Sequence, residues 1–167
     1  MSRPAPRRAL RAIPTPQEAQ PLVGFCGHCG QRPADPSEVT KRVCDHCHMG
    51  LVLQASADLA PAPQDPFMVI DRSLSICALS REGERLLGVS ETQAINRHVA
   101  EFLVPADAEA RGQEDLVTVI LTATGGDDGP RHVVVRPTGE FGVRLWVRVG
   151  HCGPPSAALL VMADGRV

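Results

Sequence analysis

The chain has no tyrosine, one tryptophan and four phenylalanines in 167 residues. So little aromatic surface leaves few stacking platforms for bases or a flavin. No apolar run approaches the roughly 20 residues that a bilayer-crossing helix needs, and the N-terminus lacks the short apolar core of a secretory signal. A soluble, cytoplasmic protein is the expectation. The formal net charge is −2, so no global field draws in nucleic acid or an anionic membrane. Enzyme signatures are missing too: there is no Gly-x-Ser-x-Gly, no phosphate-cradling glycine loop and no helical His-Glu-x-x-His. The run GGDDG at 125–129 lacks the other ligands of a calcium loop and reads as a turn. No catalytic residue is expected.

What is present is unevenly spread. Residues 1–50 carry a formal charge of +3 and the remainder −5, which points to two units with different tasks. Residues 1–21 mix Pro, Ala and Arg without apolar periodicity and are expected to be a disordered tail. Residues 22–54 hold two cysteine pairs. Residues 55–66, ASADLAPAPQDP, read as a semi-stiff linker. A folded unit is expected over 67–167.

Cys26 and Cys29 form one Cys-x-x-Cys turn, and Cys44 and Cys47 a second, 14 residues further on. In a reducing compartment such pairs are metal ligands rather than disulfides, and two turns complete a tetrahedral four-sulfur site suited to zinc. Gly30 helps the first knuckle turn, whereas His48 occupies the matching place in the second. His28, His46 and His48 are expected to point outward. With four sulfurs no position stays open for chemistry, so the metal is structural and supplies the folding energy of a segment too short for its own core. Flanked by FCGHCGQR and VCDHCHMGLVLQA, the pairs resemble a zinc ribbon. Arg32, Lys41 and Arg42 lie close in sequence to the thiolates and offset their charge; together with the basic tail they are also the residues through which the segment would bind nucleic acid.

In the larger unit, FMVID and LSICAL read as a strand hairpin. Ser80 is placed to cap a short helix ended by Gly88, and Ser90 to cap the next. A longer helix is expected from Ala106 to Thr124, with Leu116, Val119, Ile120 and Ala123 on its buried side. Three strands follow, RHVVVRP, FGVRLWVRV and SAALLVMA. The middle one alternates, with Phe141, Val143, Leu145, Val147 and Val149 on one face and Arg144, Trp146 and Arg148 on the other. The fold class is therefore α+β: a five-stranded antiparallel sheet with helices on one face.

These residues resemble a PAS domain over about 66–165: a strand ending at Asp71, a second through Ile76, LLG at 86–88, Ser90 opening the next helix, Pro105 and Asp107 before the long helix, and Asp164 near the end. Ser80 stands where many PAS domains have Asn, and Asn96 where many have Gly. The light-sensing cysteine motif of flavin-binding members is absent. The resemblance implies a sensor or protein-interaction unit with a cavity between sheet and long helix, for which His98 is the candidate haem ligand, and dimer contacts through the outer sheet face. Cys77 and Cys152 fall within or at the end of strands and read as unreactive thiols. Arg144, Trp146 and Arg148 form a candidate docking surface, or one covered by the chain itself. The expected function is non-catalytic signalling or regulation through a protein partner or homodimer, with two alternatives: a nucleic-acid-binding zinc ribbon, and a redox switch in which oxidation of the four thiolates releases zinc.

Overall fold

The computed structural model describes residues 21–34, 42–106, 115–126 and 129–164, and within them every strand belongs to one antiparallel sheet. The expected tail, apart from Pro21, lies outside the described residues, as do Lys41, Asp107, Asp127 and Asp128. β1 (Leu22–Cys26) pairs with β2 (Val52–Ser56), and β3 (Phe67–Ile70) with β4 (Ile76–Leu79). Two short helices follow, α1 (Arg81–Leu87) and α2 (Glu91–Ala94), then a 3₁₀ turn (Val99–Glu101) and β5 (Leu103–Pro105). Helix α3 (Leu116–Thr124) leads into β6 (Arg131–Pro137), β7 (Leu145–Gly153) and β8 (Ala157–Asp164).

The five strands expected from the sequence are β3, β4, β6, β7 and β8, in the spatial order β4-β3-β8-β7-β6. Five is nevertheless too few, because the described residues hold eight. β5 adds to β6, and the cysteine hairpin β1–β2 adds to β7. One edge of β7 pairs with β8 from Leu145 to Cys152. The other edge is divided: Leu145–Val149 pair with β6, and Cys152 and Gly153 with Ala55 and Gln54 of β2.

Local chemistry sets the element ends. The Ser80 hydroxyl accepts from Gly83 N at 3.0 Å, capping α1, and also from Phe67 N at 2.9 Å, tying the helix start to β3. Gly88 closes α1 at φ 64°, and Asn96 takes the left-handed conformation at φ 63° that glycine would supply more cheaply. Two expected boundaries move. The long helix begins at Leu116 rather than Ala106; Leu103–Pro105 pairs with β6, and 107–114 lie outside the described residues. β7 begins at Leu145 rather than Phe141, which is 86% exposed with the Arg136 guanidinium 4.8 Å from its ring centroid.

Two apolar cores lie on opposite faces of the same strands. Met68, Ile70, Val147, Leu160 and Met162 meet α3 residues Val119 and Ile120 on the inner face. Phe67, Val69, Leu159 and Val161 meet Phe25, Leu53 and Leu59 on the outer face. Burial on both faces explains why FMVI and ALLVM are continuously apolar. It also corrects the linker reading of 55–66. Ala55 and Ser56 belong to β2, Pro61 is buried, and Leu59 is 1% exposed, so close over β7 that a Cβ on Gly150 would stand 2.7 Å from it. Packing overrides the Pro/Ala composition there.

Candidate metal centre

Each cysteine pair sits on a tight backbone knuckle. In the first, Gly30 N donates to Cys26 O at 2.9 Å, and the amides of His28 and Cys29 point at Cys26 Sγ from 3.4 and 3.5 Å. In the second, His48 N donates to Cys44 O at 2.9 Å, and His46 N points at Cys44 Sγ from 3.4 Å. The knuckles are more alike than the sequence implies, because Gly30 (φ 70°) and His48 (φ 56°) share the left-handed conformation. Antiparallel pairing of β1 with β2 and the Val43–Leu51 bridge bring the two together.

The four sulfurs Cys26, Cys29, Cys44 and Cys47 all lie within 4.8 Å of one another. Cys26 and Cys47 are 3.6 Å apart, and Cys29 and Cys44 are 3.8 Å apart. A tetrahedral ion with sulfur bonds of about 2.3 Å requires edges of about 3.8 Å, so the donors fit a four-thiolate metal ion. All four are free thiols. Burial drives the Cys26 and Cys29 thiols up from the ordinary range. Burial also acts upward on Cys47, but the Gly50 and Met49 amides and hydrogen bonds from Cys26 and Cys29 outweigh it and bring that thiol down to about 6. Desolvation thus disfavours the thiolate form of Cys26 and Cys29, a penalty that a bound cation would offset. Gly50 seals the floor: a Cβ there would lie 2.3 Å from Cys26 Sγ.

His28 departs from expectation. Rather than pointing outward it is 8% exposed, with Nδ1 3.0 Å from Glu91 Oε2 at the start of α2. Its carbonyl accepts from Arg81 N at 3.0 Å, at the start of α1. Nothing in the local sequence signals a partner 63 residues away. His46 and His48 are exposed, as expected, and Arg32 and Arg42 are exposed on the same hairpin.

The remaining candidates are dispersed. His98 is exposed and does not reach the inner core; its Nδ1 accepts from Ala100 N at 3.1 Å, capping the 3₁₀ turn. Cys152 is fully buried, and that burial pushes its thiol up to about 12, whereas Cys77 is exposed. Trp146 is 53% exposed on the outer face, between Val134 of β6 and Ala163 of β8. Arg148 donates to the Asp58 carbonyl, and Arg144 lies exposed just before β7. Among the described residues no helix is long and apolar enough to cross a membrane.

No protein-family model and no curated protein matches this chain. Among solved structures it is similar to the PAS domain of an HTR-like protein from Haloarcula marismortui, at 20% identity and TM-score 0.44, over 60% of this chain and 80% of that one. It is similar also to the PAS domain of nitrogen regulation protein NR(II) from Vibrio parahaemolyticus, at 15% identity and TM-score 0.43, over 60% and 88%. A third is the E. coli DhaR(N)–DhaL complex, at 13% identity and TM-score 0.40, over 60% of this chain and 32% of that one.

Proposed function

We propose that the chain is a non-catalytic signalling or regulatory protein: a PAS-like interaction unit that docks a protein partner on its outer sheet face, built onto a cysteine hairpin that holds structural zinc. The observation that carries this reading is the division of the outer face. One half is covered by Phe25, Leu53 and Leu59. The other half presents Trp146 amid His132, Val134, Arg136, Arg148 and Ala163, with no acidic residue at these outward positions. A half-exposed indole framed by cations is the composition of a docking surface rather than of ordinary solvated sheet. The inner core is apolar, and among the described residues every buried side-chain nitrogen or oxygen has a hydrogen-bond partner. Zinc suits the hairpin because four thiolates satisfy its tetrahedral preference and leave no open position.

Native mass spectrometry of the intact protein from its own cells tests all parts together. One zinc per chain, no small molecule, and a second polypeptide that is lost in Trp146→Ala are the expected results. A retained small molecule would replace the docking reading with a ligand sensor. Co-purifying nucleic acid that dissociates with salt would replace it with the nucleic-acid alternative.

A further inference from the structure

We infer that the cysteine site is an input as well as a staple: its metal occupancy controls the order of α1 and α2 through His28. This rests on the reading that the four cysteines bind zinc. His28 lies between two of the ligands, and three of its groups face three different elements. Its amide points at Cys26 Sγ from 3.4 Å, its carbonyl receives Arg81 N at 3.0 Å, and its ring meets Glu91 at 3.0 Å. Glu91 relays the contact, since its other carboxylate oxygen accepts from Leu79 N at 3.0 Å at the end of β4, and its amide donates to Glu84 of α1 at 2.5 Å. The knuckle is therefore hydrogen-bonded to both helices and, through Glu91, linked to the strand before them.

Besides the knuckle, α1 is tied to β3 through Ser80 and Phe67, and the end of α2 to β4 through Ile76 and Asn96, but neither helix buries much apolar surface. α1 has seven residues and α2 four, lengths at which an isolated helix does not persist in water. Gly83 is the one fully buried residue of α1 and Ala94 that of α2, with Leu86 and Leu87 partly packed on the inner core. α3, by contrast, buries Leu116, Val119, Ile120 and Ala123 in that core and, among the described residues, shares no hydrogen bond with the knuckle. Elements with few buried contacts open first when an anchor is lost. When the metal leaves, Cys26 and Cys29 no longer fix the backbone of His28, and α1 and α2 lose their shared anchor while the sheet and α3 persist.

Hydrogen exchange read by mass spectrometry on the full chain tests this, with the zinc-loaded protein compared with protein stripped by a chelator and zinc counted in both samples. Stripping should accelerate exchange at least tenfold across 81–95 and leave 116–124 unchanged. Glu91→Ala should keep one zinc per chain yet exchange rapidly across 81–95 whether zinc is present or not. Unchanged exchange at 81–95 after verified zinc loss overturns the coupling while leaving the metal site standing. Acceleration that includes 116–124 overturns it as well, because zinc would then be supporting the whole fold. A protein that neither carries nor takes up zinc removes the underlying metal reading itself.

Discussion

Truncating Phe25 to alanine separates a hairpin that is part of the main fold from one merely attached to it. Phe25 is fully buried in β1 and stands edge-on to Phe67 of β3, with ring centroids 5.7 Å apart and planes at 87°. Around it are Leu53, Leu59, Leu159 and Val161, held by strands on several sides, so the space left by the ring cannot collapse. Such a truncation costs about 3–5 kcal/mol. For a chain of this length each kcal/mol lowers Tm by about 2–4 °C, which gives a fall of roughly 6–20 °C. The assay is thermal unfolding, with urea unfolding beside it for the free energy, at saturating zinc, followed by Trp146, the single tryptophan, which sits on β7 outside the second core. Leu22→Ala, at a site 65% exposed on the same strand, serves as a control expected to stay within about 0.5 kcal/mol. If Phe25→Ala leaves the Trp146 transition unmoved, the hairpin folds by itself and the reasoning from a shared core is refuted.

Gly50→Ala should drop bound zinc well below one per chain by elemental analysis, because the new Cβ would lie 2.3 Å from Cys26 Sγ and 2.8 Å from His28 N. His48→Gly should stabilise the zinc-loaded protein by about 0.5–1 kcal/mol in urea unfolding, since an exposed residue at φ 56° is strained and glycine is not; a loss of stability would mean that the imidazole makes a contact of its own. Of the six cysteines, a thiol reagent should modify one rapidly in the zinc-loaded protein, Cys77, with Cys152 reacting only on unfolding. Although the residue as a whole is exposed, partial desolvation of its sulfur and the nearby Asp71 charge raise the Cys77 thiol above its ordinary 9.0, so the rate should climb as pH passes that value; a rate already flat at neutral pH would contradict the shift.

The four-cysteine cluster was legible because two pairs at fixed spacings are a short-range signal, and the knuckle backbone follows from it. Ser80 and Gly88 were legible for the same reason, as caps are local. Three things were not. β5 is three residues long, and its pairing with β6 is decided by partners 30 to 34 positions away. His28 reads as a solvent-facing residue inside a turn until Glu91 is brought beside it. Leu59 sits in a run of Ala and Pro whose composition describes a linker, and only the bare backbone at Gly150 shows where it goes. Each depends on tertiary contact rather than on periodicity.

The composition of β7 and β8 records the footprint of the hairpin. Outward residues are apolar at Leu159 and Val161 and at Cys152, where Phe25, Leu53 and Leu59 lie over them, and they change to Ala163, Trp146 and Arg148 beyond it. If the hairpin were dispensable, Phe67, Val69, Leu159 and Val161 would form a bare apolar patch in the middle of an open sheet, a composition that leads to association. Deleting residues 1–60 should therefore give a chain that scatters light and binds a hydrophobic dye instead of a separate PAS-like unit. A monodisperse 61–167 fragment that unfolds cooperatively would show that β3 and β8 need only the inner core, and the second core would then be an accessory to the fold rather than part of it.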